Sequence, residues 1–461
     1  MSFNVLTKWA FQCIIIRLCI NILNILLYFG AEVTYMLVSL TIAVITVVLF
    51  LLSVLFFPSI GKVKIYSWIP LIGGIFTVML GDLSISEVVA CFIENSSVNP
   101  IKILVLFLSM TVYSLILDKT GFFAYISGIV LKKSGHNQLV VFLSLYAVIS
   151  LLTVFTSNDV VILTFTPFIC HFCKSAKVDV IPYLIMEFVT ANTWSLFLLI
   201  GNPTNIYISG AFDIKFTDYL VNMALPTVAA GLVSLMLMLL MFHDKLRKSI
   251  CTLTEVPPIK DRPLMTVTLI HMVTCIILLA ISQYTHMEMW LISFGVSVSA
   301  LICACVVLAA RHKKLAVIKE ALHGMPFEII PFVVGMFVIV LGLDKTGITQ
   351  FIFNLIDGGN GVLVYGLASL LSSNFLNNIP MSVLFSKILS VSPSMPEIYA
   401  TIAGSNIGAF ITPVGALAGI MWSNLIKENK VKLSVAKFVV YGASIGIPTM
   451  LASLIMIMLV V

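Results

Sequence analysis

Charged residues are scarce in this chain. They make up 10% of its 461 residues, whereas hydrophobic residues make up 60%. A soluble globular domain carries about 25% charged residues, so a water-soluble fold of this length could not cover its surface with polar groups. The apolar runs are also too long for the short alternating strands of an outer-membrane barrel. The composition therefore predicts an all-α, multi-pass protein embedded in the lipid bilayer of the cell membrane.

Signals for several other functions are also missing. The net charge of +6 is spread over short loops without a basic tract, which argues against nucleic-acid binding. Neither a P-loop nor a GxGxxG motif occurs, so no ATPase activity within the chain is expected. The nine cysteines lie mostly in apolar runs, and the CxxC pair Cys170 and Cys173 lacks a second ligand pair. Neither a disulfide framework nor a metal site is expected.

Runs of about 20 apolar residues, the length of a transmembrane helix, predict about eleven spans. They lie near residues 10–29, 35–57, 65–81, 100–117, 180–211, 217–242, 264–283, 289–310, 326–343, 397–425 and 437–461. Two further stretches, 138–173 and 361–390, are interrupted by polar residues and predict re-entrant helical hairpins. With a cytosolic N-terminus, most of the 26 Lys and Arg residues fall on the cytosolic side, as the positive-inside rule requires. Lys102 and Lys215 then fall on the external side.

The chain contains an internal repeat. Leu117–Gly121 reads Leu-Asp-Lys-Thr-Gly and recurs as Leu343–Gly347. An interrupted apolar stretch follows each copy, and after it Ala191–Ile206 aligns without gaps on Ser405–Ile420. Inverted repeats with broken helices are typical of secondary transporters. The predicted organisation is an N-terminal extension at 1–34, a first inverted repeat at 35–242, a cytosolic linker at 243–263 and a second inverted repeat at 264–461.

The polar residues at these interruptions form the predicted site. Backbone that is unwound at membrane depth must be satisfied by protein, water or substrate, and Asn, Ser and Thr supply donors and acceptors. Ser, Thr and Gly also occur in membrane helices simply to allow close packing, but matched breaks in two repeats favour a binding site. The predicted substrate-binding residues are Ser157, Asn158, Asn202, Thr204, Asn377, Asn378, Asn406 and Thr412.

Asp159 and Glu187 are the acidic residues that lie well inside predicted membrane segments rather than at their ends. An ionisable group at this depth is costly and is a functional candidate. We predict that these carboxyl groups bind the coupling ion, a proton or sodium, with Asp159 at the tip of the first hairpin as the first candidate. Since Asp159 has no His or second carboxylate nearby in sequence, an intramembrane enzyme is not expected. No catalytic residue and no cofactor is assigned.

Three of these motifs carry a family resemblance. Leu117–Phe123, Ser157–Pro167 and Thr412–Ala418 resemble the ion transporter superfamily of ArsB-type arsenite permeases, NhaD-type sodium/proton antiporters and sodium-coupled citrate or dicarboxylate carriers. The similarity covers roughly residues 35–461, and the likeness is strongest to the arsenite permeases. Asn377–Pro380 is similar to that family's second hairpin tip. The resemblance implies two domains, each with a scaffold and a transport part that shifts against it.

The resemblance further implies export of a small inorganic oxyanion or neutral oxyacid, arsenite or antimonite, driven by a proton gradient or by the membrane potential. It leaves open a homodimer and a separate ATPase subunit as partners. Dicarboxylate carriers of this superfamily show Ser-Asn-Thr at both hairpin tips, whereas this chain has Ser157–Asp159 and Ser373–Phe375. A sodium-coupled citrate, dicarboxylate or other organic anion carrier, a sodium/proton antiporter and a channel remain alternatives.

Overall fold

The regular elements in the part of the chain that the structure describes are helices, which confirms the predicted all-α class. The computed structural model describes residues 31–56, 64–81, 83–94, 99–134, 137–247, 256–285, 287–356 and 358–461. The predicted span at 10–29 and most of the predicted extension at 1–34 lie outside the described residues. Residues 248–255 of the predicted linker also lie outside the described residues.

The first ten helices precede the linker. They are α1 (Ala31–Phe56), α2 (Ile65–Leu80), α3 (Ile85–Ile93), α4 (Pro100–Lys119), α5 (Phe122–Ser134), α6 (Gln138–Phe155), α7 (Asn158–Ala176), α8 (Ile181–Trp194), α9 (Pro203–Ala211) and α10 (Phe216–Leu246), with a 3₁₀ turn at Leu199–Gly201. The helices after the linker are α11 (Arg262–Ala280), α12 (Ser282–Thr285), α13 (Met289–Ala310), α14 (Ala316–His323), α15 (Ile329–Lys345), α16 (Ile348–Ile356), α17 (Gly361–Leu376), α18 (Asn378–Leu389), α19 (Met395–Gly408), α20 (Leu417–Glu428) and α21 (Val435–Val460).

Eight helices in the described part of the chain are long and apolar enough to cross a membrane. They are α1, α4, α6, α7, α10, α11, α13 and α21. The pair α15 and α16, bent by 77°, makes a ninth if it is counted as one span. The count of about eleven stays a prediction. The predicted span at 10–29 lies outside the described residues, the predicted spans at 180–211 and 397–425 are each divided into two short helices, and α2 has only 16 residues. The chain is nevertheless a multi-pass membrane protein.

The predicted interruptions are real helix breaks. The first hairpin stretch divides at Thr156–Ser157, between α6 and α7, and the second divides at Asn377, whose φ is +74°. Since α6 and α7 have 18 and 19 residues, each could also cross a membrane alone, and re-entry of this pair stays a prediction. At the third break Asn202 caps α9 by accepting a hydrogen bond from Thr204 N at 3.1 Å, and proline follows at the first helical position.

The repeated Leu-Asp-Lys-Thr-Gly segments have the same local structure. Gly121 and Gly347 adopt φ values of +82° and +78°, a region that glycine occupies without strain. In each copy the glycine N–H donates to the carbonyl of the aspartate three residues earlier, at 2.9 Å and 3.0 Å. Both segments therefore end one helix and start the next, which supports the internal repeat detected in the sequence.

The described residues divide into two compact units. The first unit contains the residues up to Cys91 together with Pro331–Leu355, and the second contains Phe92–Ile330 together with Ile356–Val461. Each unit thus draws on both predicted repeats, so the division into repeats at 35–242 and 264–461 stays a prediction. The predicted site residues all belong to the second unit.

Within the first unit, α2 and α15 cross at two glycines. A Cβ added at Gly335 would overlap the backbone of Pro70 and Leu71, and one added at Gly74 would lie 3.0 Å from the carbonyl oxygen of Gly335. Close approach of backbones at small residues is a common way for membrane helices to associate. This crossing has no room for a larger side chain on either helix.

We expect Gly335→Ala to destabilise the first unit by about 1–3 kcal/mol, the range for overpacking a tight contact. The measurement is thermal unfolding of the detergent-solubilised protein. Gly295→Ala on α13 is the matched control, because a Cβ there has nothing within 4 Å. An equal effect of the two substitutions would show that helix propensity rather than the crossing decides the outcome.

Candidate functional site

The broken helices of the two predicted repeats meet in a buried group of amides and hydroxyls in the second unit. We call Ser195, Asn202, Thr204, Asn205, Ser405 and Asn406 the amide cluster. The Oδ1 atom of Asn406 accepts from Ser195 Oγ at 2.8 Å and from Asn202 Nδ2 at 2.9 Å, while its Nδ2 donates to Asn205 Oδ1 at 2.7 Å. Asn406 therefore connects α19 with both sides of the break before α9.

A second bridge in the amide cluster joins hydroxyl groups. Thr204 Oγ1 lies 2.9 Å from Ser405 Oγ and donates to Asn202 Oδ1 at 3.1 Å. The members of the cluster are at most 1% exposed. The predicted residues Asn202, Thr204 and Asn406 are thus brought together, and in this conformation they bind one another. They hold the two broken helices in register beside the rest of the site.

The first hairpin tip contacts the broken helix of the same repeat. Asn158 Nδ2 donates to Asn192 Oδ1 on α8 at 3.1 Å. The Oδ1 atom of Asn158 and the Oγ atom of Ser157 are buried without a hydrogen-bond partner. Asp159 is 8% exposed and lies in the first turn of α7, where the helix dipole favours negative charge. The tip therefore presents unpaired acceptors and a carboxyl group side by side.

The second hairpin tip makes the equivalent contact in the other repeat. Asn377 Nδ2 donates to the carbonyl of Val414 at 3.1 Å, and the backbone N–H of Asn378 donates to the carbonyl of Gly415 at 2.9 Å. Thr412, in the same break between α19 and α20, has a buried hydroxyl without a partner. Both tips thus dock on the broken helix of their own repeat, and α7 and α18 also pack on α20 and α9 of the other repeat.

Buried polar atoms without partners gather near these breaks. An unsatisfied buried polar group costs about 1–3 kcal/mol, and lipid offers no replacement partner. A concentration of such atoms at the breaks is therefore suited to a polar solute. Within the described residues, the side chains near the breaks that have a buried polar atom without a hydrogen-bond partner are those of Ser157, Asn158, Thr190, Thr193, Asn374, Thr401 and Thr412.

The charge of the site is low and of one sign. The segments that form it, residues 156–166, 187–209, 373–386 and 401–422, contain Asp159 and Glu187 but no Lys, Arg or His. Glu328 is near enough to Asp159 for their carboxyl groups to interact electrostatically. A neutral hydroxylated solute or a cation fits such a lining, whereas a polyanion would need cations bound with it.

Glu187 lies apart from the hairpin tips, in an enclosed contact between α7, α8 and α20. Its Oε1 atom accepts from Thr166 Oγ1 at 2.8 Å, and its side chain is fully buried. The indole N–H of Trp422 faces the same carboxyl group without forming a hydrogen bond of normal geometry. The Trp422 ring packs on Phe188 at 5.0 Å. This carboxyl group is therefore tightly surrounded, unlike that of Asp159.

Sequence reasoning missed four residues that the structure joins to the predicted site. They are Asn192, Ser195, Asn205 and Ser405. The gapless alignment of the repeats contained a signal for one of them, because it pairs Asn192 with Asn406. Both of these asparagines accept a hydrogen bond from an asparagine at a chain break.

A family model described as CitMHS, citrate transporter, matches residues 35–403. An arsenical pump membrane protein of Escherichia coli is 23% identical over 369 residues, covering 76% of this chain and 84% of that protein. One of Yersinia enterocolitica is 25% identical over 370 residues, with the same coverage of both chains. The crystal structure of the Alcanivorax borkumensis YdaH transporter, described as having an unusual topology, has a TM-score of 0.54 at 11% identity. The match covers 92% of this chain and 97% of that one.

Proposed function

The chain belongs to the citrate transporter family CitMHS, and from this membership and the site we propose that it exports arsenite or antimonite by alternating access. The substrate class is a small inorganic oxyanion or its neutral oxyacid. The driving force is the proton gradient or the membrane potential. That the protein is a membrane transporter and not an enzyme follows from the family itself.

The observation that carries the choice of substrate is the lack of a cationic side chain in the site segments, together with the unpaired oxygens at the breaks. Arsenous acid, As(OH)₃, is a weak acid and uncharged at neutral pH. Each of its hydroxyl groups both donates and accepts, which suits a lining of amides and hydroxyls. A neutral solute also avoids the cost of bringing an unpaired charge to membrane depth.

The relatives support the same substrate class. Arsenical pump membrane proteins of two bacteria match about three quarters of this chain and 84% of their own length. Under this proposal the hairpin tips, with Ser157, Asn158, Asn377 and Asn378, bind the substrate. The amide cluster joins the broken helices, and Asp159 binds the coupling proton or cation. A cytosolic N-terminus in the cell membrane, a homodimer and a separate ATPase subunit stay predictions.

The test is uptake of arsenite into everted membrane vesicles that contain the protein, with the metalloid measured by mass spectrometry after filtration. We expect accumulation that saturates with arsenite concentration and collapses when a protonophore is added. Vesicles without the protein are the control. Equal arsenite content in the two preparations, with and without a proton gradient, would contradict the proposal. Flux that does not saturate would instead indicate a channel.

A second candidate is sodium-coupled transport of citrate or another organic anion, which the description of the family model favours. Since the site segments lack cationic side chains, citrate would have to bind together with sodium ions. Uptake of labelled citrate that requires sodium, in vesicles that do not accumulate arsenite, would establish this candidate in place of the first.

A further inference from the structure

A cavity of about 310 Å³ lies in the second unit, outside the site described above. It lies at the end of α9 and is also lined by the start of α4 and the segment before α13. Its polar lining residues are Lys102, Ser209, Asp213, Lys215, Ser282 and Glu288. Under the predicted orientation, Lys102 and Lys215 belong to the external side of the membrane. The cavity thus lies next to the broken helix of the first predicted repeat and has a mostly apolar wall that carries these polar groups.

Ser209 connects this cavity to the amide cluster. Its side chain is fully buried, lines the cavity and has no hydrogen-bond partner for its hydroxyl group. It lies four residues after Asn205 on α9, and residues spaced by four share one face of a helix. Asn205 accepts a hydrogen bond from Asn406. One face of α9 therefore carries polar groups from the amide cluster to the cavity.

An ion pair closes the rim of the cavity. Lys102 on α4 bonds to Glu288, and Trp290 Nε1 donates to Glu288 Oε2 at 2.6 Å. The bond to Lys102 holds the pKa of the Glu288 carboxyl below its usual range. The pair therefore stays charged at neutral pH and holds the start of α4 to the start of α13.

We propose that this cavity is a second binding position for the transported solute, between the hairpin tips and one face of the membrane, with Ser209 as its inner ligand. The inference rests on the proposed function for the identity of the solute, a small hydroxylated acid or its anion. Water occupies about 30 Å³ per molecule in the liquid, so the cavity holds such a solute with part of its hydration shell. It is a transit position, and its two lysines, Lys102 and Lys215, are balanced by Asp213 and Glu288, which suits an uncharged hydroxylated solute.

The test uses Ser209→Leu, which fills the inner end of the cavity, and Ser209→Ala, which removes only the hydroxyl group. We expect arsenite uptake to fall about tenfold or more with Ser209→Leu and a few-fold with Ser209→Ala. Ser234→Ala is the matched control, because that serine is also fully buried but its hydroxyl donates to the Gly231 carbonyl at 2.9 Å. Uptake at the wild-type rate by Ser209→Leu would overturn the inference.

Chemical modification of a cysteine gives a second test of the cavity. This test does not depend on whether Ser209→Leu folds or on which solute the protein transports. In Ser209→Cys, an impermeant thiol reagent added to whole cells, and so from the external side, should label the new thiol. Everted vesicles prepared from the labelled cells should then no longer take up arsenite, because the bulky adduct blocks the cavity. Wild-type protein and Ser234→Cys receive the same treatment. Labelling of Ser209→Cys no faster than that of Ser234→Cys would refute the cavity as an accessible position. If wild-type vesicles fail to accumulate arsenite while Ser209→Cys is labelled, the proposed function fails and the cavity stands.

Discussion

Asn406→Ala is expected to abolish transport while the protein still inserts in the membrane. Its side chain accepts from Ser195 and Asn202 and donates to Asn205 and to the carbonyl of Ile402. Removing it leaves Asn202 Nδ2 and Asn205 Oδ1 without a buried partner, whereas Ser195 Oγ keeps its hydrogen bond to the Asn192 carbonyl. At about 1–3 kcal/mol for each unsatisfied group, partly offset by rearrangement, we expect the free energy of unfolding to fall by about 2–5 kcal/mol.

Transport should be affected more than stability. The amide of Asn406 is the point at which both broken helices are held in register, and a shift of about 1 Å at a binding site can cost about 100-fold in rate. We therefore expect saturable arsenite uptake in everted vesicles to fall by about 100-fold or more. Thermal unfolding of the purified protein should show a single transition at lower temperature.

Asn429→Ala provides the control for this experiment. Asn429 is exposed and its side-chain amide donates only to the carbonyl of Leu425, at 2.9 Å. The Asn429→Ala substitution removes the same chemical group from the end of α20 and leaves the amide cluster unchanged. Uptake and thermal unfolding should therefore match those of the wild type. Wild-type uptake by Asn406→Ala would mean that the amide cluster does not couple the two broken helices during transport.

The breaks could be predicted from the sequence, but the bonding across them could not. Asn202, Thr204 and Asn406 were identified because polar residues interrupt apolar runs at matched positions. Their mutual hydrogen bonds depend on how α9 and α19 approach each other, and hydrophobic periodicity carries no such information. For the same reason Ser195 and Ser405 were missed, since a serine in a membrane segment most often reflects close packing.

The predicted number of spans is not confirmed for a related reason. A hydropathy window measures how many apolar residues follow one another, not whether they form one helix. The runs at 180–211 and 397–425 are apolar throughout most of their length, yet each contains a break. In the first, Asn202 caps the helix that follows, and in the second, residues 409–416 separate two helices. In contrast, the repeated Leu-Asp-Lys-Thr-Gly segments fold alike because glycine in the left-handed region is a local requirement that any context must meet.

Asp159→Asn is expected to uncouple transport from the proton gradient while preserving the fold. Asp159 lies in the first turn of α7 at the hairpin tip, beside Ser157 Oγ and Asn158 Oδ1, which have no hydrogen-bond partner, and it is 8% exposed. Because the amide is neutral and nearly the same size, the substitution removes the ionisable group without leaving a cavity. It also gives the first tip an amide, as the second tip has at Asn378.

Glu187→Gln is the comparison variant for this prediction. The amide oxygen of glutamine can still accept from Thr166, and the enclosure by Trp422 and Phe188 leaves the group without a path to solvent. We therefore expect Glu187→Gln to retain accumulation driven by a proton gradient. Asp159→Asn should lose at least about 90% of that accumulation but still exchange arsenite down its own concentration gradient. The reason is that the free energy of binding the substrate is separate from the free energy that couples substrate to proton.

The measurement is arsenite uptake into everted vesicles over a series of imposed pH gradients, with exchange against internal arsenite measured in the same preparations. Wild-type and Glu187→Gln vesicles should respond to the gradient, and Asp159→Asn vesicles should not. If Glu187→Gln alone lost the response, the buried carboxyl at Thr166 would bind the coupling proton instead. A response retained by both variants would show that neither carboxyl group alone couples transport to the proton gradient.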